Sequence, residues 1–464
     1  MGMVHLRKFV LKSKTRVLPL LLALTLMLPF ALPMRVYAFD PDVDCQSKGI
    51  YMVNLDTNTV VYERAANERM YPASLTKIMT AIVALENCDD LQEIAVSPPY
   101  IYDEFVGINV SHASINPGEE ITMENLLYAL LMQSANEAAK IIADHIGGGS
   151  IETFVEMMNQ KAKEIGANNT HYVNPHGLFD EEQYTTPYDM YLITKYAMEL
   201  DGFMDMCTTL VKDIGHSLPL TNRNETMSPN SQYYYEPIRG IKTGTLEESG
   251  RCFISSASKD GYNYLLVLMN APYLNEEGEV TETNYAFTEA KDLYEWAFEA
   301  YKVKTLVQFN QVHGEVKVKM GKGVDSVKVV AGDNFTSLVM DEIEVSSMQP
   351  LPQLPEEIEA PVQKGQELGY LKVMLAGEQI GTVPLVAAED VEADPVLVYL
   401  EKVRGVFRQF WFKFVVLTIL IFLVLYITVM IIRNYNKKRY AKTRNKARGG
   451  TAVNRTKTKK KPKK

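Results

Sequence analysis

Residues Phe414 to Ile432 form a run of 19 positions without one charged side chain. As a helix that run is about 28 Å long, the thickness of a bilayer's hydrocarbon core. Phe410, Trp411 and Phe412 stand before it, where amphipathic rings favour the membrane interface. Arg433 and a Lys-rich tail follow at once. The flanking bases predict a transmembrane helix at 414–432, a cytoplasmic tail at 433–464 and an outer part at 39–410. Before the span, Val396, Leu400, Val403, Phe407, Phe410 and Phe414 recur at steps of three or four. This predicts an amphipathic linker at 393–413.

The N-terminus supports the same topology. Arg7, Lys8, Lys12, Lys14 and Arg16 precede an apolar stretch from Val17 to Leu32, and Val36-Tyr37-Ala38 follows. The pattern is that of a secretory signal peptide cleaved after Ala38. Pro19, Pro29 and Pro33 suit it poorly to a spanning helix. Charge is segregated to match. Of 48 Lys+Arg, six fall in 1–38 and fifteen in 433–464, leaving 27 against all 57 Asp+Glu in between. So acidic a body argues against nucleic acid as a partner. Cys45, Cys88, Cys207 and Cys252 show no zinc-ligand spacing, and four in so long a chain make no disulfide scaffold. They read as small buried residues; no metal is expected.

Two domains are predicted between the signals. Gly49 to Leu55 and Val60 to Tyr62 read as strands around a turn at Asp56–Thr59. Helical spacing follows at 74–86, 123–132, 137–146 and 151–165. Strands are expected at 241–245, 252–257 and 264–269, and a closing helix at Glu289 to Tyr301 with Leu293, Trp296 and Ala297 inward. This is an α/β (α+β) domain over 39–302. Residues 303–392 hold short alternating runs around 315–319, 326–330 and 371–375, separated by Gly/Asp turns. They predict an all-β sandwich domain.

Three short motifs carry chemistry. Ser74-Leu75-Thr76-Lys77 opens a helix, so Lys77 lies one turn from Ser74 on the same face. A serine hydroxyl is a weak nucleophile without an adjacent base. Lysine can be that base when burial and a nearby cation lower its pKa, and Leu75, Ile78, Met79 and Ala81 make the position apolar. Ser134-Ala135-Asn136 falls between two helical runs, where a loop can present both side chains. Lys242-Thr243-Gly244-Thr245 sits in an expected strand; Gly244 leaves room for another backbone, and a peptide can pair along such an edge. Lys242 is the candidate second cation. Each motif alone is weak; in this order in a secreted chain they are specific.

The three motifs resemble those of penicillin-recognising serine enzymes. PASLTKIMTA, SANEAA, YVNPHGL, Thr185-Thr186-Pro187-Tyr188-Asp189 and GIKTG followed by Gly250-Arg251-Cys252-Phe253 narrow the resemblance to the D-alanyl-D-alanine carboxypeptidases, low-molecular-mass penicillin-binding proteins. APVQKGQELGYLKV and IGTVPLVA resemble that family's C-terminal domain. The resemblance spans roughly 45–392. It implies a membrane-anchored bacterial enzyme that removes the terminal D-alanine from peptidoglycan stem peptides without a cofactor. β-Lactams would be covalent inhibitors. By motif, Ser74 is the nucleophile, Lys77 its base and Ser134 the proton shuttle, with Asn136, Lys242, Thr243, Gly244 and Thr245 binding substrate. The resemblance also implies that the backbone N–H groups of Ser74 and Thr245 form the oxyanion hole.

Two departures stand out. Leu246 occupies a position where the family has Thr. An Arg common before the last catalytic-domain helix has no counterpart near Tyr285-Ala286-Phe287, and Arg239 or Arg251 is the expected substitute. His176, in NPHGL, is expected to support a turn. Two other readings remain: a β-lactamase, for which Glu181 and Glu182 would have to activate water, and a wall-binding scaffold with an altered pocket at Leu246.

Overall fold

The computed structural model describes residues 34–35, 41, 43–375 and 377–448. The signal peptide expected at 1–38, apart from Met34 and Arg35, and the tail beyond Arg448 lie outside the described residues.

A six-stranded sheet organises the catalytic region. Its strands are β1 (Met34–Arg35), β2 (Gly49–Asn54), β3 (Thr59–Arg64), β4 (Ile238–Leu246), β5 (Gly250–Lys259) and β6 (Tyr262–Ala271). Their order is β1-β3-β2-β6-β5-β4. The first pairing, β1 with β3, is parallel; β3-β2, β2-β6, β6-β5 and β5-β4 are antiparallel. Among the described residues, β4 therefore ends the sheet with one edge unpaired by another strand.

Period-two alternation sends successive side chains to opposite faces. Tyr51, Val53, Leu265, Val267 and Ile254 enter one core, while Ile50, Met52, Leu266, Leu268 and Phe253 enter another. Both faces are covered, so the strands are buried on both sides. One core is built from α1 (Thr76–Asn87), α2 (Met123–Met132), α3 (Asn136–Ile146), α4 (Ile151–Ile165) and α5 (Pro187–Met198). The other is closed by α6 (Tyr285–Ala300).

α1 is central because it is apolar nearly all round; every residue from Thr76 to Ala84 is buried. Such a helix belongs in a core rather than on a surface. α2 starts at Thr122, whose side chain caps the N–H of Asn125. α4 starts at the Ser150 cap and stops at Gly166 in the left-handed conformation. α6 starts four residues earlier than expected, at Tyr285. It ends at Ala300, and Tyr301 instead begins a strand. Leu293 and Ala297 are fully buried as expected, whereas Trp296 is only partly covered.

The chain divides into two compact units. One comprises the residues up to Gln308 with Asp333–Leu351 and Lys372–Val383; the other comprises Phe309–Gly332, Pro352–Leu371 and the residues from Pro384. After α6 the regular elements up to Ala387 are all strands, apart from one short 3-10 turn at Val345–Ser347. In the first unit Tyr301–Val307 pairs with Phe335–Met340. In the second, Val312–Lys319 pairs antiparallel with Ser326–Ala331 and parallel with Glu357–Glu359.

The expected linker contains a helix, Pro395–Arg408, started by the Asp394 side chain accepting from the N–H groups of Val396 and Leu397. It stops at Gln409, whose backbone is extended, and a second helix runs from Phe410 to Arg448. Its Phe410–Tyr440 stretch is long and apolar enough to cross a membrane, with mean hydropathy 3.1 over its best window.

Candidate active site

The chain enters α1 through a 3-10 turn, Ala73–Leu75, which places Ser74 at the mouth of the helix. Ala73 has φ of 46°, a left-handed conformation that a non-glycine residue adopts only under constraint. The constraint comes from both sides. A Cβ on Gly177 would meet the Ala73 carbonyl oxygen at 1.9 Å, and a Cβ on Gly244 would stand 3.2 Å from the Ser74 nitrogen. Two glycines far apart in sequence thus clear the space in which the Ser74 turn fits.

Lys77 is fully buried, and its partners are few and short. Its Nζ lies 3.1 Å from Ser74 Oγ, 2.6 Å from Asn136 Oδ1 and 2.5 Å from the His176 carbonyl oxygen. Thr80, one turn on, donates to the Pro175 carbonyl at 2.6 Å. The polar face of α1 is therefore docked on two consecutive carbonyls of the Asn174–Leu178 turn. That turn is built from its own side chains. Asn174 Oδ1 accepts from the Gly177 N–H at 2.7 Å, His176 Nδ1 accepts from the Leu178 N–H at 3.1 Å, and Gly177 has φ of 87°. His176 supports the turn as expected; its carbonyl contact with Lys77 carries no signal in the sequence.

Burial holds the Lys77 ammonium well below its ordinary pKa, and the nearby charge of Lys242 pushes in the same direction. Lys242 is buried as well, and burial followed by the Arg223 charge lowers it to about 7. A neutral lysine amine has two N–H donors and one lone pair. Asn136 Oδ1 and the His176 carbonyl take the two donors at short range, so the lone pair is left toward Ser74 Oγ. The arrangement can remove a proton from the hydroxyl.

Ser134 lies between α2 and α3 with φ of 59°. Its hydroxyl is buried and has no hydrogen-bond partner among the described residues. A buried hydroxyl left unpaired is costly, and such groups collect where a substrate completes the bonding. Asn136 is the first residue of α3, and its N–H donates to the Ser111 carbonyl at 2.9 Å. Lys242, Thr243, Gly244 and Thr245 lie on the edge strand β4, with Lys242 Nζ donating to the Thr243 carbonyl at 3.0 Å. Ser74, Lys77 and Asn136 are joined by the Lys77 contacts, and Gly244 lies against Ser74.

The two arginines expected to replace the family's carboxylate-binding residue both bond backbone carbonyls. Arg251 donates to the carbonyls of Thr281 and Thr283, and Arg239 to those of Glu236 and Ile238. Arg223 is the cation whose charge acts on both Lys77 and Lys242. It also donates to Ser111 Oγ at 2.7 Å. Sequence reasoning missed it because a single arginine in TNRNE has no periodicity or motif. Glu181 and Glu182 are exposed, and all four cysteines are buried and unpaired. Among the described residues no cluster of three or more His, Cys, Asp or Glu could hold a metal.

Comparison with known proteins identifies the family. Residues 36–273 match the family model described as D-alanyl-D-alanine carboxypeptidase, and 301–393 match the penicillin-binding protein 5 C-terminal domain. The chain is 29% identical over 370 residues to D-alanyl-D-alanine carboxypeptidase DacF of Bacillus subtilis, covering 79% of this chain and 91% of the relative. To DacC of Escherichia coli it is 26% identical over 366 residues, covering 76% and 85%. The crystal structure of penicillin binding protein 5 from Haemophilus influenzae superposes with a TM-score of 0.58 at 22% identity, covering 76% of this chain and all of that one, which speaks for the fold. A family model spanning more than half of the chain, over the residues that hold all three motifs, decides the assignment: this protein belongs to the D-alanyl-D-alanine carboxypeptidase family of serine peptidases.

Proposed function

We propose that this protein removes the terminal D-alanine from peptidoglycan stem peptides through an acyl-enzyme on Ser74, at the outer face of a bacterial membrane. The observation that carries the reading is the Lys77 amine, buried, depressed in pKa and held 3.1 Å from Ser74 Oγ. Lys77 accepts the hydroxyl proton as Ser74 Oγ attacks the carbonyl of the penultimate D-alanine. The N–H groups of Ser74 and Thr245 receive the negative charge on the carbonyl oxygen. Such donors act most strongly where charge develops only in the transition state. The unpartnered Ser134 hydroxyl passes a proton to the departing D-alanine nitrogen, and Asn136 both holds Lys77 and meets the substrate. A water molecule then hydrolyses the ester.

The peptide lies along the free edge of β4, adding a strand to the sheet. Its terminal carboxylate is received by Thr243, Thr245 and the positive field of Lys242. Arg223 takes the place of the arginine absent near Tyr285. β-Lactams acylate Ser74 because their amide presents the same carbonyl and carboxylate. The 410–440 helix anchors the chain, with the bases from Arg433 onward on the cytoplasmic side.

The test uses the full-length chain in detergent with diacetyl-Lys-D-Ala-D-Ala and follows free D-alanine. Release that disappears in Ser74→Ala supports the reading. Equal release from that variant overturns the assignment of the nucleophile.

A further inference from the structure

Three observations outside the assigned motifs converge on Glu104. It lies on the 3-10 segment Pro99–Phe105, about thirty positions before Ser134 in sequence. One of its carboxylate oxygens is 3.3 Å from His176 Nε2, and the other is 2.6 Å from Lys140 Nζ. Phe105, the next residue, sets its ring edge-on to the His176 imidazole at 5.8 Å and lies 5.4 Å from the Lys140 ammonium.

The protonation states follow from the hydrogen bonds. His176 Nδ1 accepts from the Leu178 N–H, so the ring proton sits on Nε2 and points at Glu104. The imidazole is buried, which favours its neutral form, and Glu104 is held ionised by its hydrogen bond to His176 and by Lys140, down to about 2. The pair is thus a neutral N–H donor on a carboxylate, steadied by an ammonium on the far side.

Each end of this bridge leads back to Lys77. The His176 carbonyl is one acceptor of the Lys77 amine. Lys140 lies four residues after Asn136 on α3, hence on the same helix face, and Asn136 Oδ1 is the other acceptor. The contacts close a ring running Lys77, Asn136, α3, Lys140, Glu104, His176 and back to Lys77. The same stretch of chain is fastened to the start of α3 again further on, where the buried Glu137 carboxylate accepts from the Ala113 N–H at 2.6 Å.

We propose that Glu104 is a positioning residue for acylation: by bridging His176 and Lys140 it fixes, relative to one another, the two acceptors that orient the Lys77 lone pair toward Ser74. This rests on the reading of Lys77 as the base. It matters because neither acceptor is on the helix that carries Lys77. One belongs to the Asn174–Leu178 turn and one to α3, and their separation decides where the amine points. Misplacement of a reacting group by about 1 Å costs on the order of a hundredfold in rate. The charged groups facing the ring are Lys242, Glu137 and Arg223 around Lys77, Lys77 and Lys140 around His176, and Lys140 at Glu104.

The experiment measures the second-order rate constant for acylation of Ser74 by a fluorescent penicillin, across pH, on the full-length chain in detergent. The variants are Glu104→Gln, Lys140→Met, their combination and Glu104→Asp. Each of the first two is expected to lower the rate roughly tenfold. Each also moves the acid limb of the profile to higher pH, because a loosened Lys77 regains water and its proton. The double variant is expected to be no slower than either single one, since a ring broken once is open, and Glu104→Asp recovers part of the rate. An unchanged rate and limb in Glu104→Gln overturns the proposal. So does a loss that is equal at every pH, or single losses that multiply in the double variant. Failure of the unsubstituted protein to label at Ser74 overturns the functional reading and the ring with it.

Discussion

The catalytic region and the all-β region treat charge in opposite ways. Among the described residues, the buried Lys, His, Asp and Glu side chains are Lys77, Glu137, Lys140, His176, Asp189, Lys242 and Glu289, and all precede residue 290. In the all-β region the ion pairs Lys319–Glu357 and Lys322–Glu392 stand in solvent. Exposed pairs add little, because water already solvates both partners and side-chain entropy opposes their meeting. Buried ones are held against a desolvation penalty on the order of several kcal/mol per ion. Lys77, Glu137, Lys140, His176 and Lys242 gather around Ser74 and Asn136, whereas Asp189 and Glu289 hold the backbone N–H groups of Asn169, Gln46 and Ser47. The difference separates a region shaped by a reaction from one shaped by packing alone.

Replacing Lys77 by Met tests that contrast most severely. Turnover should fall on the order of a thousandfold or more with loss of the base, yet the protein should melt at a higher temperature. The unfolded lysine titrates near 10.5 and the folded one well below it. Between those values the unfolded state binds more protons, so stability rises with pH across the interval, and the penalty is full below the folded pKa. The gain in melting temperature from Lys77→Met should therefore be largest in acid and shrink as pH approaches 10.5. A variant that melts lower at every pH would remove the claim that this lysine is retained at the expense of stability.

Gly177→Ala should rank next. Its Cβ would overlap the Ala73 carbonyl at 1.9 Å in a left-handed conformation, so the Asn174–Leu178 turn and the Ser74 turn cannot both keep their places. Penicillin labelling of Ser74 should drop about a hundredfold, read by a labelling time course. Lys242→Met should follow, with roughly a hundredfold loss of D-alanine release as the carboxylate loses its cation. Its stabilisation has a defined window: full below about pH 7, then declining toward the unfolded value of 10.5. Thermal melts on either side of pH 7 decide it. At the small end, Lys322→Met in the all-β region should leave D-alanine release unchanged and move the melting temperature by no more than about 1 °C. A larger shift would blur the line between the two regions.

Much of the molecule is legible locally. The short apolar run of 264–269, the helix over 151–165 and the chargeless run at 414–432 need only neighbouring residues, because run length and the 3.6-residue repeat are local properties. The spacing of Ser74 and Lys77 is legible for the same reason. Arg223, Glu104 and the His176 carbonyl were not. Each matters through a partner dozens of residues away, and a backbone carbonyl leaves no trace in residue identity. Arg239 and Arg251 looked equally suited by charge, and the carbonyls that each of them bonds are visible only in the folded chain.

The sequence by itself determined the membrane-compatible helix and most elements of the catalytic region, though not α5, and its motifs singled out Ser74, Lys77, Ser134 and Asn136 as candidates. The helices and strands follow from short-range periodicity, and the candidates from the resemblance of their motifs to a known family. Only the tertiary structure decided that Lys77 is sealed from water, that Lys242 and Arg223 lie near enough to depress it, and which two oxygens take its protons. Desolvation and hydrogen-bond geometry are properties of the space between distant segments, and that space exists only once the chain has folded.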